Sequence, residues 1–395
     1  MSRAHLVRGI QLIVAITLAT FAFLLYRGVA SKQADLALGF ANLRPGWLVL
    51  AAVLALQEGV CGGLRLYVLG RVLTKDLRPR TAIISEFVLM FCAGVTPGQA
   101  GAAPSQVAVL VHGGMRFVDV ATASLLTAAC TAIFFLTAAL GMYLLRASGH
   151  FVVASGTSVD YLLGLSVFVF GAGLIAIVLC AAYPPLLKGI IRAIAVPCGA
   201  IARGSLRLLA LVPRFSARAE AQLAKPGAVR ARILHNVDGF HEGFRTYARR
   251  GKRAYALAQL LTFAFFCSRF AVAYFVLLGL GIPTEPKTFV TIGPPIVQIV
   301  LVQALLNFAL YLSPTPGASG IAEAGSNALM SPWVSGVYEL PFLVLWRILA
   351  LFLCMFVGGI YVFRYLGTDV LEQRMKEAET AKKALEEARL ANPAA

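Results

Sequence analysis

Two interruptions govern what this chain can fold into: Thr96-Pro97-Gly98-Gln99-Ala100-Gly101 and Thr315-Pro316-Gly317-Ala318-Ser319-Gly320, each set inside a long apolar run. Proline lacks an amide donor and glycine loosens the backbone, so neither stretch continues a helix. The runs themselves belong in hydrocarbon. Of the 395 residues, 59% are hydrophobic and only 13% charged, more apolar surface than a soluble fold of this length hides. An unpaired amide is costly in lipid, so broken backbone at membrane depth survives only where protein buries it or where it lines a wet cavity. One break in each half of the chain points to a binding site between two membrane repeats.

The apolar runs set out an all-α polytopic membrane protein. Full spans are expected at about 10–26, 47–70, 120–145, 161–182, 254–280 and 339–365. Arg3 and Arg8 precede the first, which is long for a cleaved signal and is read as an uncleaved helix. Arg71, Lys75, Arg78 and Arg80 follow the second against Asp76 alone, which places that end, and with it both termini, in the cytoplasm.

Each break makes a re-entrant hairpin. In the first, 81–111, a half-helix reaches about Val95 and a second runs from Pro104 to Val111. A half-helix of about fifteen residues extends roughly 22 Å, short of a comfortable crossing and long enough to pass the midplane. The second hairpin covers 288–331, with its return half at Ile321 to Met330. Counting spans brings the first in from the cytoplasm and the second from outside, the opposed sense of an inverted-topology repeat. The expected division is therefore a first repeat at 1–182, a basic cytoplasmic region at 183–253, a second repeat at 254–366 and a charged helical tail at 367–395.

The net charge of +17 gathers in short stretches flanking the spans, which fits a cytoplasmic face against anionic lipid and argues against nucleic acid as a partner. The region 183–253 holds fourteen Lys and Arg against Glu220, Asp238 and Glu242, with aliphatic residues recurring among them, the pattern of amphipathic helices on a membrane surface. The seven cysteines are scattered through apolar surroundings and read as small hydrophobes. His235, Asp238 and His241 lie three residues apart, but a solvated basic helix face accounts for them, and no metal is expected. No G-x-x-x-x-G-K loop is present, so ATP hydrolysis by this chain is not expected; no cofactor is expected either.

The segment Leu312 to Gly325, L-S-P-T-P-G-A-S-G-I-A-E-A-G, resembles the signature of the lysylphosphatidylglycerol synthase transmembrane, or flippase-like, family. The earlier T-P-G-Q-A-G-A-A-P is similar to that family's first Pro-Gly motif. Arg65 in G-L-R-L-Y and Arg347 in W-R-I-L-A match arginines the family carries in the corresponding spans. Two departures stand out. Ala102-Ala103 replaces the acidic residue usual in the first motif, with no arginine at 106–109, which leaves Glu323 as the better ionic candidate. Lipid-aminoacylating members carry a soluble acyltransferase domain after the membrane part, and the tail 367–395 offers no place for it, so an enzyme is not expected.

Seven ionisable residues fall at membrane depth: Glu58, Arg65, Glu86, Arg269, Glu323, Glu339 and Arg347. Each must face the bundle interior, find a partner or touch a charged cargo. For Arg65 and Arg269 the plainer role is snorkelling toward the interface or pairing with Glu58 and Glu86; Arg347 and Glu323, beside the second break, rank first. Helix N-termini after Gly101 and Gly320 would aim free amides at an anionic head group, although close helix packing is a plainer use of such breaks. The expected substrate-binding set is Thr96, Pro97, Gly98, Gly101, Thr315, Pro316, Gly317, Gly320, Glu323, Arg65, Arg269 and Arg347. What the resemblance implies is a lipid flippase or transporter of the cell inner membrane, with membrane lipids, and proteins of envelope-lipid synthesis, as partners. The alternatives are a membrane-embedded lipid-modifying transferase, for which His112 is the best-placed imidazole, and an accessory scaffold.

Overall fold

The computed structural model describes residues 39–149, 157–183, 239–283 and 295–364, and every regular element among them is helical. In chain order these are α1 (Pro45–Leu73), α2 (Pro79–Val95), α3 (Ala102–His112), α4 (Phe117–Ala147), α5 (Thr157–Ala182), α6 (Lys252–Gly279), α7 (Pro295–Tyr311), α8 (Ile321–Met330) and α9 (Glu339–Arg347). A short helical stretch at 239–250 precedes α6, and α9 continues through a π-helical segment, Ile348–Phe352, and then α-helically to 364.

Among the described residues, five helices are long and apolar enough to cross a membrane: Pro45–Leu73, Phe117–Ala147, Val159–Ala182, Lys252–Gly279 and Gly336–Arg364. They coincide with the spans expected from about 47, 120, 161, 254 and 339. The chain is thus a polytopic all-α membrane protein. The span expected at 10–26, most of the basic region (His235 and Asp238 included), the start of the second hairpin at 288–294 and the tail 367–395 lie outside the described residues.

The centre of the bundle is the antiparallel pair α1 and α6. The Arg44 N–H donates to Gly279 O at 2.7 Å at one end, Glu58 pairs with Arg269 midway, and Arg65 lies over the Phe265 ring further along. α2 lies against α1 through small residues, since a Cβ on Gly63 would stand 2.3 Å from Ile83 Cα. Around this pair the apolar side chains form separate packed groups. One joins α1, α6, α7, α8 and α9 through Ile299, Leu306, Met330 and Phe342, and another joins α1, α3 and α4 through Leu66, Leu69, Leu110 and Val120. A further group gathers Phe134, Phe265, Phe266 and Phe270, with Phe134 stacked on Phe266 at 4.6 Å between centroids and Phe265 edge-on to Phe266. α5 is peripheral: 6% of its apolar window is buried, which leaves most of its surface for hydrocarbon.

Both broken segments fold back on themselves. A Cβ on Gly113, just past α3, would meet Thr81 Cγ2 at 2.5 Å, so α3 returns to the level where α2 began. In the second hairpin Gly325 of α8 faces Leu306 of α7, 2.8 Å from a Cβ built there to Leu306 Cδ1. α3 begins two residues before the expected Pro104, because a proline in the first helical turn forfeits no hydrogen bond. The π segment after Arg347 carries neither Pro nor Gly and left no mark in the sequence pattern.

Candidate functional site

The two breaks have the same local structure. Thr96 and Thr315 are extended (φ −107, ψ 141 and φ −83, ψ 149), the prolines follow, and Gly98 and Gly317 are left-handed (φ 55, ψ 24 and φ 59, ψ 16). Gln99 and Ala318 are left-handed too, at φ 56 and 53, a conformation that costs a side-chain-bearing residue about 1–2 kcal/mol. The hydrogen bonds repeat: Gln99 N to Thr96 O and Ala100 N to Pro97 O in one, Ala318 N to Thr315 O and Ser319 N to Pro316 O in the other. Pro followed by a left-handed Gly is the residue order a tight turn of this kind favours.

The threonine hydroxyls hold the breaks closed. Thr96 Oγ1 donates to Cys92 O at 2.7 Å and accepts from Gly101 N–H at 2.8 Å. Thr315 Oγ1 donates to Ser319 O and lies against Ser313 Oγ, both at 2.8 Å. The breaks also meet one another. Gly98 N–H donates to Pro314 O at 3.1 Å, so an amide freed by the first break is satisfied by a carbonyl freed by the second.

At the second break Glu323 and Arg347 form a buried clamp, 2% and 3% exposed. Arg347 Nε and Nη2 donate to Glu323 Oε1 at 2.8 and 2.7 Å, Nη1 donates to Gly317 O at 3.1 Å, and Nη2 reaches Ser319 Oγ at 3.5 Å. Glu323 Oε2 accepts from Gly320 N–H at 2.5 Å, which places a carboxylate at the N-terminus of α8. Gly320 stands at φ 89, ψ −56, a conformation open to glycine alone. Most of the polar capacity of Arg347 and Glu323 is therefore committed to holding the break.

Two more ion pairs lie close by, the first part-buried and the second buried. Arg269 is ion-paired with Glu58. Arg65 approaches Glu86 more loosely, Nη2 to Oε1 3.9 Å, while Gln106 Nε2 donates to Glu86 Oε2 at 2.9 Å. A Cβ on Gly62 would stand 2.6 Å from Glu86 Oε1, so that glycine makes the room the carboxylate occupies. Both of the pairings anticipated for Arg65 and Arg269 are present.

All three pairs line one cavity of about 250 Å³, with the exception of Glu323, which supports its edge through Arg347. Gln99, Gly317 and Ala318 bring both breaks to the same wall. Of the expected binding residues, Arg65, Arg269, Arg347 and Gly317 face this space; Thr96, Pro97, Gly98, Gly101, Thr315, Pro316 and Gly320 build the turns behind it. Glu339 opens α9, away from the cavity. His112 ends α3 and does not line the cavity. The sequence pattern does not single out Gln106, Thr127 and Asn307, although Asn307, with Gln298 and Gln303 in the apolar run of α7, is a polar residue in need of a purpose.

Comparison with known protein families matches residues 10–358 to the lysylphosphatidylglycerol synthase TM region. Comparison with curated proteins gives no match. With the match spanning both breaks, four of the five described spans and most of the fifth, the chain belongs to the lysylphosphatidylglycerol synthase transmembrane-region family.

Proposed function

We propose that this protein is a lipid flippase or lipid transporter of the cell inner membrane, passing an anionic or modified head group through the cavity while the acyl or prenyl tails stay in the bilayer. The observation that carries this is the meeting of the two breaks, Gly98 N–H on Pro314 O, beside a cavity lined by Glu58, Arg65, Glu86, Arg269 and Arg347. Polar lining at membrane depth is costly unless something charged or wet passes it. A cavity of about 250 Å³ lies just under the usual range of small-molecule sites and suits a head group without its chains. Membership of a family named for the membrane region of a lipid synthase supports a lipid as cargo.

In this scheme the two hairpins are the matched halves of an inverted repeat, the termini are cytoplasmic, and one half rocks against the other to expose the cavity to each leaflet in turn. Proteins of envelope-lipid synthesis are the proposed partners. The test is transbilayer movement of labelled phospholipids in vesicles reconstituted with the wild type, Glu323→Ala or Arg347→Ala. Movement well above protein-free vesicles, lost in both variants, is expected; wild-type rates in both would refute the assignment.

A further inference from the structure

The cavity holds buried polar atoms that the protein leaves without partners, and donors outnumber acceptors among them. Arg65 is 5% exposed, yet its Nε and Nη1 have no hydrogen-bond acceptor. Asn307, 4% exposed, leaves Nδ2 unpartnered, and the Thr127 hydroxyl is unpartnered as well. These three side chains come from α1, α7 and α4 and line the same space. Besides the Thr127 hydroxyl, which can also accept, the one unpartnered acceptor among the described residues lining it is Glu58 Oε2. Buried donors left unmade are expensive, so the set calls for a ligand rich in acceptors.

The three arginines differ in what they have left to offer. Arg347 is held by Glu323, Gly317 and Ser319, and Arg269 by Glu58. Among the described residues Arg65 has a single ionic contact, at 3.9 Å, and a ring face beneath it, Phe265 at 4.8 Å. Gln106 already serves Glu86, so Arg65 can turn toward a ligand without leaving that carboxylate alone. The geometry points to a phosphate-ester subsite at Arg65, Asn307 and Thr127, set apart from the Glu323–Arg347 clamp. A phosphodiester brings one negative charge and two acceptor oxygens, which charge-assisted bonds from a guanidinium, an amide and a hydroxyl satisfy together. That the phosphate belongs to a lipid rests on the transport function proposed above; its chemistry does not.

The experiment measures the thermal stabilisation of the detergent-purified full chain by phosphatidylglycerol, by diacylglycerol and by inorganic phosphate. Stabilisation by phosphatidylglycerol and not by diacylglycerol is expected, with apparent affinity falling roughly tenfold or more in Arg65→Gln. Because a buried arginine change can itself unfold the protein, the double variant Thr127→Val/Asn307→Leu, which leaves every ion pair in place, is measured beside it. That variant is expected to keep its ligand-free melting temperature and to lose the preference. If inorganic phosphate alone gives the full effect, and loses it in the double variant, the subsite stands with a soluble phosphate as its source. Equal stabilisation by diacylglycerol, or an unchanged preference in the double variant, overturns it. Lipid movement in vesicles separates the two ideas. A wild type that moves lipid but shows no phosphate preference defeats the subsite alone, and one that shows the preference but moves no lipid defeats transport alone.

Discussion

From Thr96 and from Thr315 the chain follows the same path for four residues, through an extended threonine, a proline and two left-handed positions. It then divides. Ala100 and Gly101 are already helical (φ −59, ψ −26 and φ −81, ψ −12), whereas Ser319 stays extended and Gly320 turns to φ 89 before α8 begins. Eight residues beyond each threonine the contrast becomes chemical: Pro104 stands where Glu323 stands. The first break has no carboxylate at its helix start, and Pro97, Gly98 and Ala100 are exposed. The second has a carboxylate, an arginine to match it, and buries Pro316, Ala318 and Ser319. One backbone device thus serves as a fixed, ion-clamped wall in one hairpin and as an open, neutral turn in the other, and the cavity lies where they touch.

The sharpest way to break this contrast is to remove one half of the clamp. Arg347→Met leaves Glu323 buried without its charge partner and should cost about 3–5 kcal/mol, read as a large fall in melting temperature in detergent. Glu323→Leu combined with Arg347→Met should recover much of that loss, since no unpaired charge remains. A double variant no better than the single one would show that the clamp's role is not electrostatic.

Next in size is Gly320→Ala. A Cβ meets open space at both Gly320 and Gly98, so the backbone decides: φ and ψ of Gly320 lie outside the left-handed well that Gly98 occupies, and the change should destabilise by about 1–3 kcal/mol, more than Gly98→Ala. The threonines should behave alike. Thr96→Val and Thr315→Val each remove two hydroxyl contacts and should each cost about 1–2 kcal/mol, a marked inequality arguing that the two turns are held differently. The smallest effect is expected from Pro104→Glu, which places a carboxylate at the register of Glu323 with no arginine beside it. Its helix-terminus benefit is about 0.5–1 kcal/mol, seen as a small rise in melting temperature.

Much of the fold was legible because Pro-Gly pairs and long apolar runs are local signals. Val95 and Ile321 bound their helices where the runs break, and the family resemblance rested on the same residues. The weight given to Glu323 over the first hairpin also came from local evidence, the Ala102-Ala103 departure. What remained hidden depends on contacts far apart in the chain. Arg269 meets Glu58 across 211 positions, and nothing in either neighbourhood announces the other. The π segment after Arg347 has no compositional mark. Nor does sequence separate an arginine whose donors are filled, Arg347, from one whose donors are spare, Arg65, because that difference lies in the carbonyls and carboxylates folded against each.

The most direct test of the central claim, that the two breaks meet at the cavity, is oxidative crosslinking of Pro97→Cys with Pro314→Cys in intact membranes, in a background lacking the native cysteines. Both positions are exposed and flank the Gly98–Pro314 hydrogen bond. The account predicts rapid disulfide formation within one chain together with a loss of lipid movement that reduction restores. Absence of the crosslink, or a crosslinked protein that moves lipid at the uncrosslinked rate, would contradict it.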